Sequence, residues 1–170
     1  MTLVGTPTLF IDGEWCASSD GGRRPTYNPY DASVIMHVDE ATSNDARRAI
    51  AAAKAFFSSS DWSRRSYQDR CELLNRMADS LQKNKAELAR IETIDTGKTL
   101  GESEIDIDDV TNVFRFYAKE ALKLAEDKRV TGPLVPESVK SLVVHEPVGV
   151  CVLITPWNYP ILQLLSLIHI

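Results

Sequence analysis

Residues Val150-Cys151-Val152-Leu153-Ile154 form an unbroken apolar run rich in β-branched side chains. A strand exposed on one side needs only alternate apolar residues, so a continuous run suits a parallel strand covered on both faces. The run ends at Thr155-Pro156-Trp157-Asn158-Tyr159-Pro160, a loop stiffened by two prolines. In open α/β sheets the carboxyl ends of strands are where ligands bind. The chain is thus expected to contain one covered strand with a binding loop at its end.

The rest of the composition narrows the function classes. At 170 residues, 44% hydrophobic and 25% charged, the chain is long enough to bury a core. Collagen-like, disordered and disulfide-scaffold readings are excluded. A net charge of −5 speaks against nucleic acid or an anionic membrane surface as partner. The apolar runs are shorter than the ~18 residues of a membrane span, and no signal peptide opens the sequence, so a cytoplasmic location is expected. Cys16, Cys71 and Cys151 share no metal or disulfide spacing, which fits a reducing compartment. Cys71 and Cys151 are expected to be inert core residues. His37, His145 and His169 lack ligand spacing.

Local signals give the element order. Asp12-Gly13 between Leu9-Phe10-Ile11 and Trp15 predicts a hairpin, and 34–38 predicts a strand. Thr42 and Asp45 fit a capping box, followed by Ala46, Ala49, Ile50, Ala53 and Phe57 at helical spacing until Ser58-Ser59-Ser60. Ser66 with Asp69 opens a second helix whose inner face is Tyr67, Cys71, Leu74, Ala78 and Leu81. Asn84 with Glu87 opens a third, which Gly97 stops. A fourth helix over roughly 104–126 carries the stripe Val110, Val113, Phe114, Tyr117, Ala121 and Leu124. A partly alternating strand is expected over 140–146.

Three motifs compete with plainer readings. Asp95-Thr96-Gly97-Lys98-Thr99 resembles a phosphate loop, but Glu92 stands where that loop requires glycine and a helix precedes it. A helix end capped by Gly97, with Lys98 near its carbonyls, accounts for it. Glu102, Glu104, Asp106, Asp108 and Asp109 form an acidic cluster. It reads either as a solvated first turn or, since Glu102, Asp106 and Asp109 share one helical face, as a surface attracting a cation. The aromatics at Trp157 and Tyr159 could serve packing alone, whereas the Asn158 amide could donate to a developing oxyanion.

Several segments together resemble the NAD(P)-dependent aldehyde dehydrogenases. They are Leu9-Phe10-Ile11-Asp12-Gly13-Glu14-Trp15, Tyr27-Asn28-Pro29, Ile91-Glu92-Thr93-Ile94-Asp95-Thr96-Gly97-Lys98, Glu146-Pro147-Val148-Gly149, and Ile154 through Pro160. They occur in family order and spacing. Asp106-Ile107-Asp108-Asp109-Val110, with Phe114, Phe116 and Tyr117 after it, is similar to the betaine-aldehyde and aminoaldehyde dehydrogenases in particular.

The resemblance implies an α/β, partial Rossmann-like cofactor-binding domain with a β oligomerisation arm. It places residues 1–127 and 148–163 in that domain and 128–147 in the arm. In the family, a cysteine thiolate attacks an aldehyde, hydride passes to NAD or NADP, and water releases the acid. Asn158 matches the oxyanion-stabilising amide, and Ile154, Thr155, Pro156, Trp157 and Asn158 the cofactor-binding strand end. Tyr159 matches an aromatic that boxes a quaternary ammonium. Asp106 and Asp109 match acidic residues at the substrate entrance. Thr26, Tyr27 and Asp95 match a monovalent-cation site, implying potassium. The small-molecule partner is an aldehyde, and the family assembles as homo-oligomers. The family's catalytic cysteine and general-base glutamate have no counterpart in these 170 residues, so the chain alone is expected to be poorly soluble and inactive. Alternatives are another aldehyde or semialdehyde specificity, or a non-catalytic product that joins full-length subunits. Ser166 stands where the family has tryptophan, and 165–170 translate CTG TCT CTT ATA CAC ATC, similar to a sequencing adapter. Residues 164–170 are therefore expected to be a non-native tail.

Overall fold

A computed structural model describes residues 8–59, 61–123, 128–129, 138–139, 142–143 and 146–168. The amino-terminal part is built from two hairpins. Strands β1 (Leu9–Ile11) and β2 (Glu14–Cys16) pair antiparallel, with Phe10 opposite Trp15 and their rings 5.1 Å apart. Asp12 and Gly13 both take positive φ, as the tight hairpin turn requires. Strands β3 (Arg23–Tyr27) and β4 (Val34–Asp39) form the second pair, with a register shift at Thr26 and Tyr27.

Helix α1 (Ser43–Ser59) begins at the expected capping box. Asp45 accepts the backbone N–H groups of Thr42 (3.0 Å) and Ser19 (3.1 Å), and both residues' hydroxyls. These bonds hold its carboxyl far below the usual range. They also tie the helix start to the chain after β2. The stripe expected to face a core is largely exposed instead, Ile50 and Phe57 included.

The core lies among the later helices. Helix α2 (Tyr67–Lys83) opens on a reciprocal capping box between Ser66 and Asp69. Helix α3 (Lys85–Thr96) ends at Gly97, whose φ of +80° gives the left-handed cap. The expected cap of α3 by Asn84 is not made. The Asn84 amide donates to the Ser80 carbonyl at 2.8 Å and so finishes α2, because this one residue separates the two helices. Helix α4 (Leu100–Lys123) starts four residues earlier than expected. A capping box between Thr99 and Glu102 fixes that start, with reciprocal bonds of 2.9–3.3 Å. Helix α5 (Pro160–Ile168) lies across α2 and α4. Ala78, Val110, Phe114 and Leu165 form a buried cluster, flanked by Leu74, Leu81, Val113, Ile161 and Leu162. Leu124 lies outside the described residues. So do positions 169–170 of the expected tail.

The carboxyl-terminal strand reading is corrected. Residues 146–156 take no regular secondary structure. Val152 is 72% and Ile154 82% exposed, and Cys151 is exposed rather than buried. A strand is completed by hydrogen bonds to neighbours, and none of the described residues pairs with 150–154. Cys71 is buried, as expected. Of the expected arm, β5 (Lys128–Arg129) and β6 (Leu142–Val143) form a short antiparallel pair; 130–137, 140–141 and 144–145 lie outside the described residues. No helix among the described residues is long and apolar enough to cross a membrane.

Candidate active-site cleft

An open cleft forms where the turn from α3 to α4 meets the loop before α5. Thr96, Gly97, Lys98, Glu102, Ile105, Asp106, Trp157, Asn158 and Tyr159 line it. Its volume of about 490 Å³ falls in the ~300–1,000 Å³ range of small-molecule sites. Gly97 makes the turn possible: its conformation disfavours a side chain, and a Cβ there would stand 2.9 Å from Pro29 Cγ. The close approach also packs the turn after β3 against the end of α3.

Charge in the cleft is organised around Lys98. Its Nζ donates to Glu92 Oε1 at 2.9 Å and to Asp106 Oδ2 at 2.5 Å. The same ammonium lies 4.1 Å from the centroid of the Tyr159 ring. Burial by itself would lower the Lys98 pKa. The hydrogen bonds and charges of Asp106 and Glu92 outweigh it and raise the pKa above the ordinary lysine value. Glu92 is buried, and its Oε2 has no hydrogen-bond partner among the described residues.

Of the residues singled out from sequence, Asp106, Trp157, Asn158 and Tyr159 converge on this cleft. Asn158 is exposed, and its amide makes no hydrogen bond among the described residues, so both donors are free to meet a ligand oxygen. Ile154, Thr155 and Pro156 lead to the cleft without lining it. Asp109 is exposed outside the lining, one turn further along α4. Glu102 lines the cleft, yet its carboxylate accepts the Thr99 backbone N–H and hydroxyl, which lower its pKa. It therefore fits the first-turn reading, whereas Asp106 is buried and paired. Thr26 donates its hydroxyl to the Met36 carbonyl, and Tyr27 and Asp95 are exposed. The Pro29–Gly97 contact brings their two segments together, but no hydrogen bond joins Asp95 to Thr26 or Tyr27 among the described residues. Glu92 and Lys98 were missed as a pair. The available signal was a lysine directly after a glycine cap, between two acid-bearing helices.

The sequence and fold match a known class. The aldehyde dehydrogenase family model matches residues 15–169, nearly the whole chain. This chain belongs to the aldehyde dehydrogenase family, and its α/β architecture is that of the family's N-terminal cofactor-binding part. It is 42% identical over 156 residues to a betaine aldehyde dehydrogenase of Bacillus subtilis, covering 92% of this chain and 31% of that protein. It is 40% identical over 163 residues to the peroxisomal aminoaldehyde dehydrogenase 2 of Pisum sativum, covering 94% and 32%. A crystal structure of Staphylococcus aureus betaine aldehyde dehydrogenase in complex with NAD+ superposes with a TM-score of 0.84 at 42% identity, covering 94% of this chain and 31% of that one. The chain thus spans about a third of the length of the curated relatives it matches.

Proposed function

We propose that this chain is the N-terminal part of an NAD(P)-dependent oxidoreductase that converts betaine aldehyde or an aminoaldehyde to its acid. The convergence of Asn158, Tyr159 and Asp106 on one cleft carries this reading. Free amide donors suit the oxyanion that forms when an aldehyde carbonyl is attacked. An aromatic ring and a carboxylate beside it suit the cationic end of such a substrate. Asp109, on the outer turn of the same helix, acts at the entrance.

The segment 154–157 suits a nicotinamide nucleotide. Its backbone has no ladder partner among the described residues and its apolar side chains are exposed, leaving peptide groups and surface open to a ligand. When bound, that cofactor supplies the hydride acceptor. The NAD+ held by the similar Staphylococcus aureus enzyme favours NAD. Thr26, Tyr27 and Asp95 would hold potassium through backbone and carboxylate oxygens. In this reading residues 1–127 and 148–163 belong to the cofactor domain, and 128–147 form an arm joining identical subunits. The location is cytoplasmic.

Among the described residues no cysteine lines the cleft, so in this reading the chain lacks a nucleophile in position and is inactive alone. The test is a chimera in which residues 15–163 replace the matching region of the Bacillus subtilis enzyme. It should reduce NAD with betaine aldehyde or an aminoaldehyde. A folded chimera that turns over only uncharged aldehydes would overturn the substrate class. NADH formation by the 170-residue chain would overturn its inactivity.

A further inference from the structure

Lys98 has no part in the proposed reaction, yet its surroundings are specific. A carboxylate, Asp106, and an aromatic face, Tyr159, meet at its ammonium. A cation within ~6 Å of an aromatic centroid is held by the ring, and a neighbouring carboxylate strengthens the hold. These are the groups a cationic ligand would seek in this cleft. We propose that Lys98 is a built-in occupant of the cation subsite formed by Asp106 and Tyr159, and that it sets the cleft's preference between cationic and uncharged ligands. The inference rests on the cleft being the aldehyde site, and it deepens that reading by naming a specificity-determining residue.

Two features make the occupancy exchangeable. Lys98 is 14% exposed at its side chain and sits in the short turn between α3 and α4, at the end of a flexible four-carbon stem. Glu92 offers it a second position. One Glu92 oxygen already accepts from Lys98, and the other is buried without a partner among the described residues. Withdrawing from Asp106 and Tyr159 onto both Glu92 oxygens keeps the ammonium paired and satisfies the orphan acceptor. An entering cation then takes over the carboxylate and the ring. Both cations cannot stay, because like charges at such separation repel strongly. An uncharged ligand leaves Lys98 where it is.

The test uses the 170-residue chain with tetramethylammonium chloride as probe and tert-butanol as its uncharged counterpart. In NMR spectra with labelled lysine, the Lys98 Cε protons should be shifted upfield by the Tyr159 ring. Tetramethylammonium should move them back toward ordinary lysine positions as it saturates, and tert-butanol should not. The double variant Lys98→Met/Glu92→Gln keeps the net charge of the cluster. It should bind tetramethylammonium about tenfold more tightly than the unaltered chain, whereas Lys98→Arg should not. Circular dichroism checks that the variants fold. Should the double variant not fold, Tyr159→Leu serves instead, and must abolish both the upfield shift and the probe's effect. No upfield shift in the unaltered chain overturns the proposal. So does probe binding that leaves Lys98 unmoved, or equal binding by the double variant. Those failures leave turnover by the chimera untouched. A chimera inactive on both cationic aldehydes, with Lys98 still yielding to the probe, removes only the substrate reading.

Discussion

The helices α2 to α4 and the segment 146–159 are both rich in apolar residues, and they behave in opposite ways. In the helices three boundaries are closed locally: Ser66 with Asp69, Thr99 with Glu102, and Gly97 in its left-handed cap. The apolar faces of α2 and α4 meet that of α5 in a buried cluster. In the segment, Val148, Val152, Ile154 and Trp157 all face solvent. A helix satisfies its backbone within itself, whereas a strand borrows its hydrogen bonds from a neighbour. The helical part of this chain is therefore self-sufficient. The part that carries Trp157, Asn158 and Tyr159 to the cleft is held chiefly at its far end, where α5 packs on the core.

The largest effect should come from the core. Phe114→Ala removes a 4%-exposed ring that packs with Ala78, Val110 and Leu165. Truncations of this kind cost about 3–5 kcal/mol, a large fraction of a small domain's stability. Urea denaturation should show a midpoint near zero denaturant, or no folded baseline. A loss below about 1 kcal/mol would mean that the helices are not the stable half of the comparison.

Next in size is Lys98→Met. It leaves Glu92 and Asp106, both buried, without their cation. Breaking a buried pair on one side costs about 3–5 kcal/mol; with Lys98 partly exposed, about 2 kcal/mol is expected. The pH dependence identifies the cause. The folded pKa of Lys98 is raised, so its stabilisation is complete below the unfolded value near ~10.4 and is lost as pH rises through the folded value. The gap between the unaltered chain and the variant should be constant at neutral pH and close above about pH 10.5. A gap that persists undiminished at high pH would assign the loss to packing of the lysine stem.

The same contrast explains what was legible in the sequence. The capping boxes at Thr42 and Ser66, the Asp-Gly turn and the Gly97 stop are local devices, and they could be read from residues three or four apart; the box at Thr99 was not read, and the one expected at Asn84 is not made. Helical periodicity located the core positions Ala78, Val110 and Phe114. It failed for α1, where Ile50 and Phe57 have a helical pattern yet remain 47% and 40% exposed. The apolar run 150–154 showed what the segment needs but could not supply its neighbours. Asp106 and Asn158 stood out from helical spacing and donor chemistry before the family resemblance, which added the role of Tyr159. The Glu92–Lys98–Asp106 arrangement did not, because it depends on two helices folding back at Gly97. Sequence spacing of six and eight residues gives no hint that three side chains meet.

Gly97→Ala probes that reversal directly. A side chain at φ +80° is strained, and its Cβ would press on Pro29 Cγ at 2.9 Å. A cost of about 1–2 kcal/mol is expected from the backbone conformation. Because the turn also places Lys98, the upfield shift of its Cε protons should weaken together with stability. A thermal midpoint unchanged within error would show that the turn relaxes freely and does not fix the cleft.

The smallest effect on stability should come from the exposed segment itself. Val152→Lys replaces a 72%-exposed valine that has no strand partner among the described residues. Surface changes of this kind alter stability by less than about 0.5 kcal/mol. Solubility should change much more, because an exposed apolar stretch with free backbone groups is a template for association and a lysine on it blocks pairing. Light scattering should show less self-association for the variant, while urea midpoints of the two chains coincide. If Val152→Lys instead lowered stability as Phe114→Ala does, the segment would be packed like the helices, and the division between a self-sufficient half and an open one would fail.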